Sequence, residues 1–171
     1  LKKYKAHKID IRSELPAIGK VLDIALLRRA VRAALDAEKV DIPCEVSVLI
    51  TNDEGIRVLN MEYRKKDAAT DVLSFPDQVL TPGDFRPVLT AINRDTGRLL
   101  LGDIVLSFDR LKAQAFEYGQ TPDREMTYLT VHSVLHLLGY DHLDEGPEKR
   151  RMREREEAII ATLGFGPAAA P

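Results

Sequence analysis

Polar and apolar residues alternate where the chain begins. His7, Ile9 and Ile11 stand against Lys8, Asp10 and Arg12, a period of two that predicts a strand with one wet face, closed by Pro16. The period then changes. Ile24, Leu27, Val31 and Ala34 recur at helical spacing within 21–38, with Arg28, Arg29 and Arg32 nearer the polar side. Asp41 and Pro43 mark a turn, and Val46, Val48 and Ile50 share one face of a strand over 45–51. Asn52 is placed to cap the next helix, Asp53 and Glu54 suit its first turn, and Ile56, Leu59 and Tyr63 form a stripe that runs to Arg64.

TDVLSF at 70–75 predicts a short strand stopped by Pro76. Residues 77–99 contain Pro82, Gly83, Pro87 and Gly97 and show no clear period, which predicts a long loop with room for a hairpin. LLGDIVLSF at 100–108 reads as a strand, and Phe108 to Tyr118 as a short helix. Thr121 caps a further helix with Pro122 at its first position, where a missing N–H costs nothing, and Gly139 ends it. A last helix is predicted over 145–163, followed by a frayed tail at 164–171. Strands and helices mix without strict alternation, so residues 1–163 are expected to form a single α+β domain of four strands and about five helices.

Composition alters this picture little. The 171 residues are 44% hydrophobic and 30% charged, ordinary values for a globular domain. A net charge of −2 sets up no global field for nucleic acid, so any polyanion site must be a local basic patch. Cys44 is the one cysteine, which excludes an internal disulfide framework and fits a reducing compartment. No run approaches the roughly 18 apolar residues of a membrane span, and no apolar segment follows the charged LKKYKAHK start. The expectation is a soluble cytoplasmic protein without membrane contact.

The chemistry concentrates in HSVLHLLGYDH, residues 132–142, which holds three of the four histidines. His132 and His136 are four residues apart, so on a helix they lie about 40° apart and about 6 Å along the axis. Two imidazoles so placed can meet one ion at zinc–nitrogen distances of about 2.0–2.1 Å. Gly139 lets the chain turn back, and His142 arrives in time to supply a third nitrogen. Three protein ligands leave a position open for water, the arrangement of a catalytic zinc; imidazole alone also suits copper, iron or nickel. The plainer alternative is a pH-sensitive packing pair, but a glycine turn aiming a third histidine favours metal. Ser133 stands where a zinc protease of the HExxH type carries its glutamate base, which argues against a peptidase. Asp141 is either a carboxylate that orients an imidazole or a turn residue.

H-x3-H-L-L-G-Y-D-H, the GDI strand and NMEYRKKDAATDVLSFP together resemble the YbeY family of bacterial endoribonucleases, over at least residues 46–160. The resemblance implies a metal-dependent nuclease specific for single-stranded RNA. It further implies a role in ribosomal RNA maturation at the 3′ end of the small-subunit RNA and in ribosome quality control, with the small ribosomal subunit and assembly factors as partners. The implied fold is a small, mostly parallel sheet packed with helices, with the metal site in a cleft. The implied metal ligands are His132, His136 and His142, holding one Zn2+, and the implied functional arginine is Arg64. His132 and Arg64 are then the catalytic candidates. This chain departs from the family in having Ser133 where glycine is common, which brings a hydroxyl near the metal, and in a longer 77–99 loop.

Without the resemblance, Arg64 reads as a solvated cation at a helix end. With it, a guanidinium that matches phosphate bidentately becomes the better reading, and Lys65, Lys66, Arg28, Arg29 and Arg32 are candidates to extend a basic surface. The run EKRRMREREE at 148–157 mixes both charges and reads as a solvated helix face, with Met152, Ile159 and Leu163 turned inward. Asp71 and Asp103 are expected to make structural hydrogen bonds. Aromatics are few and mostly fall in apolar stripes, so no sequence-specific base readout is expected. The competing functions are a non-enzymatic ribosome-assembly factor with a structural zinc and a metallopeptidase-like hydrolase.

Overall fold

The computed structural model describes residues 6–85, 91–141 and 146–166. Among them are β1 (Lys8–Ser13), α1 (Ile24–Ala37), β2 (Cys44–Thr51), α2 (Asp53–Arg64), β3 (Val72–Pro76), β4 (Ile92–Asn93), β5 (Arg98–Ser107), α3 (Phe108–Glu117), α4 (Pro122–Leu137) and α5 (Pro147–Thr162). One sheet runs β1-β2-β5-β3, with β4 also on β5. The β1–β2 and β2–β5 pairs are parallel, whereas β3 and β4 run antiparallel to β5. The α+β domain with five α-helices is as expected, but the sheet has a fifth strand. β4 spans 2 residues inside the 77–99 stretch, too short for a period of two to show. It finds a partner because β5, at 10 residues, extends beyond β3.

The helix starts follow local chemistry. Asn52 accepts from the Gly55 N–H at 2.8 Å, and Thr121 from the Arg124 N–H at 3.2 Å, as their positions in the sequence indicate. Asp23 and Ser107 cap α1 and α3 in the same way, so α1 begins at Ile24 rather than at 21. On one face of the sheet, α1 and α4 enclose the main core, in which Leu27, Val46, Ile104, Val134 and Leu138 are fully buried or nearly so. A smaller cluster of Ile56, Leu73 and Val105 lies under α2 on the other face. Each such side chain contributes about 1.5–3 kcal/mol on burial. Met126, Leu129, Val131, Val134, Leu135 and Leu137 bury α4 nearly all round, which makes it the central helix. No helix of the described residues is long and apolar enough to cross a membrane.

The start of the expected frayed tail is tied down. Phe165 packs against the core, and the Gly166 carbonyl accepts from Arg124 at 3.1 Å. Residues 167–171 of that tail, 86–90 of the loop, and 142–145, including His142 and the start expected for the last helix, lie outside the described residues.

At the start of the GDI segment the register of β2 against β5 shifts between Glu45 and Val46, and Gly102 takes φ +145°. A Cβ there would stand 2.3 Å from the Phe75 carbonyl oxygen of β3. Both the backbone angle and the close approach therefore require glycine. Gly102→Ala is expected to lower unfolding stability by about 2 kcal/mol or more, read as a lower urea midpoint with unchanged slope. An unchanged midpoint would contradict this account of the bulge.

Candidate functional site

Two stretches far apart in sequence form one cleft of about 750 Å³: the end of α2 with the β3 strand and the chain just after it, and the second half of α4 with the residues that follow. Arg64, Ser74, Tyr128, His132, His136 and Asp141 are among its lining residues.

The α4 helix supplies the histidines. It is core on every side but one, and His132 and His136 sit on the open side, only partly buried. Their rings are 4.4 Å apart between centroids, and their Nε2 atoms are 3.0 Å apart. Each Nδ1 is held from behind. That of His132 meets Glu156 Oε1 at 2.7 Å, and that of His136 meets the Tyr140 carbonyl oxygen at 2.8 Å. A carbonyl oxygen and a carboxylate only accept, so each Nδ1 carries the proton and donates it. In the neutral rings the two Nε2 lone pairs then point at one another. That arrangement is repulsive unless a cation or a shared proton lies between them. The donor set therefore fits a metal ion that binds imidazole through Nε2, with the outer nitrogen of each ring oriented by a hydrogen bond.

Gly139 makes the second of those bonds possible. At φ +92° it reverses the chain after α4, and a Cβ there would lie 2.0 Å from the Leu80 carbonyl oxygen. The reversal brings Tyr140 back under His136, with its N–H donating to the Leu135 carbonyl at 3.0 Å. His142, the third expected ligand, lies outside the described residues. Among the described residues no group of three or more His, Cys, Asp or Glu is arranged to hold a metal ion.

Arg64 enters from the opposite wall. It is the last residue of α2, and Lys65 at φ 57° ends the helix. Asn60 Nδ2 donates to the Ala68 carbonyl at 2.7 Å, and Arg57 pairs with Asp67, so the segment after the helix is folded back against it. One Arg64 nitrogen donates to the Ser74 carbonyl of β3 at 3.1 Å. Arg64 and the two histidines thus line one cleft. Lys65, Lys66, Arg28, Arg29 and Arg32 are not among its lining residues, and Arg29 pairs with Asp23. Ser133 is fully buried and its hydroxyl has no hydrogen-bond partner among the described residues, so it lies in the core rather than in the cleft with the histidines.

Two acidic residues escaped the sequence reading. Glu156, inside the run expected to be a solvated face, is only 2% exposed and holds His132. A signal existed: Glu156 follows Met152 by four residues and precedes Ile159 by three, which sets it on the buried stripe of α5. The second is Glu125 on α4, 3% exposed. Burial pushes its carboxyl up to about 7, with the nearby Asp71 charge adding to the shift and Arg124 opposing it. Asp71 makes the structural bonds expected of it, accepting from the Val72 N–H at 2.8 Å and from Gln114 Nε2 at 3.1 Å. Tyr128, stacked on His132 at 6.0 Å, is an aromatic of the cleft itself; burial and then Glu156 push its phenol upward, so it stays protonated.

The family model described as Endoribonuclease YbeY matches residues 9–164. A protein named Endoribonuclease YbeY from Chloroflexus aggregans is 49% identical over 145 residues, covering 84% of this chain and 90% of its own length. One of the same name from Acetivibrio thermocellus is 39% identical over 158 residues, covering 92% of each. The solution structure of TM1509 from Thermotoga maritima is similar with a TM-score of 0.56 over 91% of this chain and 88% of that one. At 24% identity this last likeness is one of fold alone.

Glu125 gives the fold a pH signature. Its folded-state value of about 7 lies above the ordinary 4.5, so the folded state holds the proton more tightly than the unfolded chain. Its contribution to stability is full below about pH 4.5 and is lost as pH rises through about 7. Glu125→Gln is expected to gain stability relative to wild type between pH 5 and pH 8, by on the order of 2 kcal/mol, in urea unfolding at the two pH values. An equal difference at both would mean that Glu125 does not titrate in this window.

Proposed function

The chain belongs to the endoribonuclease YbeY family, and from that membership we propose that its cleft binds single-stranded RNA and cleaves it at a zinc site made by His132, His136 and His142, with Arg64 on the phosphate. The chain is an endoribonuclease, a hydrolase of phosphodiester bonds acting in ribosomal RNA processing, and its family is metal-dependent. The proposal extends to zinc as the metal, one per chain, and to residues 1–163 as a single metal-dependent endoribonuclease domain, followed by a C-terminal tail at 164–171 that frays beyond its docked start. It also extends to the 3′ end of small-subunit ribosomal RNA as substrate, to the small ribosomal subunit and assembly factors as partners, and to the cytoplasm as the place of action.

One observation carries the site: two imidazole Nε2 atoms at 3.0 Å, each with its Nδ1 proton already committed, in a cleft whose other wall presents a guanidinium. When bound, the metal supplies Lewis acidity toward a phosphodiester. The rest falls to the chain. Glu156 and the Tyr140 carbonyl keep both rings in the tautomer that offers Nε2. Arg64, with one nitrogen spent on Ser74, keeps donors for a phosphate, and its fixed charge neutralises the developing negative charge in the transition state. His132 takes two roles in this reading, as a ligand and, with Arg64, as a catalytic residue, and Glu156 orients it for both. The peptidase alternative loses support from the burial of Ser133, where a glutamate base would stand, and the structural-zinc alternative is not favoured by the family.

Plasma mass spectrometry is expected to find near one zinc per wild-type chain and almost none in His136→Ala. Zinc-loaded Arg64→Ala should keep its metal and its fold but cleave single-stranded RNA about 100-fold or more slowly. Wild type that stays metal-free after zinc addition and dialysis would sink the metal site; full activity in Arg64→Ala would sink the phosphate role. Glu156→Ala is expected to bind zinc about 10–100-fold more weakly, measured against a chelator. Unaltered affinity there would remove Glu156 from the site.

A further inference from the structure

Two neighbouring residues of α5 reach the two histidines. Glu156 does so directly. Arg155 does so through two further side chains. Its guanidinium donates to Glu38 Oε1 at 2.8 Å from Nε and 2.6 Å from a terminal nitrogen. The Tyr140 hydroxyl donates to the other oxygen of the same carboxylate at 2.6 Å. The Tyr140 carbonyl in turn receives the Nδ1 proton of His136.

Glu38 lies just beyond α1, and its side chain is 2% exposed. A carboxylate buried so far is tolerated only when its oxygens are matched, and here one takes a cation and the other a phenol. A carboxylate only accepts, so the Tyr140 hydroxyl is the donor of that pair. Tyr140 follows the Gly139 reversal, where the backbone is least constrained by its own side chains. Anchoring the ring at its far end fixes the Cα from which the carbonyl projects toward His136.

We propose that Arg155, Glu38 and Tyr140 are positioning residues that hold His136 in its metal-binding tautomer and orientation, so that α5 sets the affinity of both histidines. The inference rests on the zinc reading above and adds to it where that affinity is determined. None of the three residues touches the reacting atoms. Their effect is therefore expected in metal affinity rather than in any step of the chemistry.

The test measures zinc affinity by competition with a chromophoric chelator, and the melting temperature of metal-free protein, for Tyr140→Phe, Glu38→Gln and Arg124→Met. Arg124 ties α4 to α5 away from the histidines, donating to Gln120 at 2.8 Å and pairing with Glu157 at 3.3 Å. All three variants are expected to melt lower. Only Tyr140→Phe and Glu38→Gln should bind zinc more weakly, by about tenfold. Wild-type affinity in both would overturn the relay, and so would an equal loss in Arg124→Met, which would assign the effect to helix docking in general. Should Glu38→Gln fail to fold, Tyr140→Phe, which removes a single hydroxyl, decides. A wild type that binds no zinc overturns the reading beneath it instead, so the two failures are distinguishable.

Discussion

A helix that is core on nearly every side cannot carry two imidazoles unless something outside the helix satisfies them. That constraint organises this molecule. The α4 helix is buried against the sheet, α1 and α5, and its one open strip presents His132 and His136 to the cleft. Each ring has one nitrogen turned toward protein and one turned toward the cleft. The protein side is closed by a buried carboxylate for one ring and a backbone carbonyl for the other. Leaving either nitrogen unmatched would cost about 1–3 kcal/mol and would free the ring to take the wrong tautomer. The folding requirement and the ligand geometry are therefore met by the same two hydrogen bonds.

Much of this was legible in the chain, and the rest was hidden for identifiable reasons. Thr121, Pro122 and Gly139 bracket α4 because capping, a missing N–H and a positive φ are local properties. The i, i+4 histidines are local too. β4 was legible only as room for a hairpin within 77–99, which its antiparallel pairing with β5 fills; its 2 residues carry no period that would have placed the strand itself. Arg64 is an ordinary helix-end cation until β3 folds beside it, and its place opposite the histidines depends on pairing between β3 and β5. Glu156 is the instructive case. A run rich in both charges invites the reading of a wet surface, yet Glu156 shares a stripe with Met152, Ile159 and Ile160, all buried. An acidic residue on an apolar stripe calls for a buried partner, and the partner here is an imidazole.

Charge distribution bears on how such a cleft deals with a polyanion. The chain has a net charge of −2, and among the described lining residues of the cleft Arg64 is the arginine or lysine, facing Asp71 and Asp141. The lysines after α2 and the arginines of α1 are not among its lining residues. A site that neutralises few phosphates releases few counterions, so a cleft with one such cation would hold RNA backbone modestly and with weak dependence on salt. A site of this kind discriminates by what fits it more than by how strongly it attracts. Under the proposed function, an RNA segment that fits the cleft would present a phosphate to Arg64 beside the two histidines. With so little attraction on offer in the cleft, selection among RNAs would then rest on contacts made outside it.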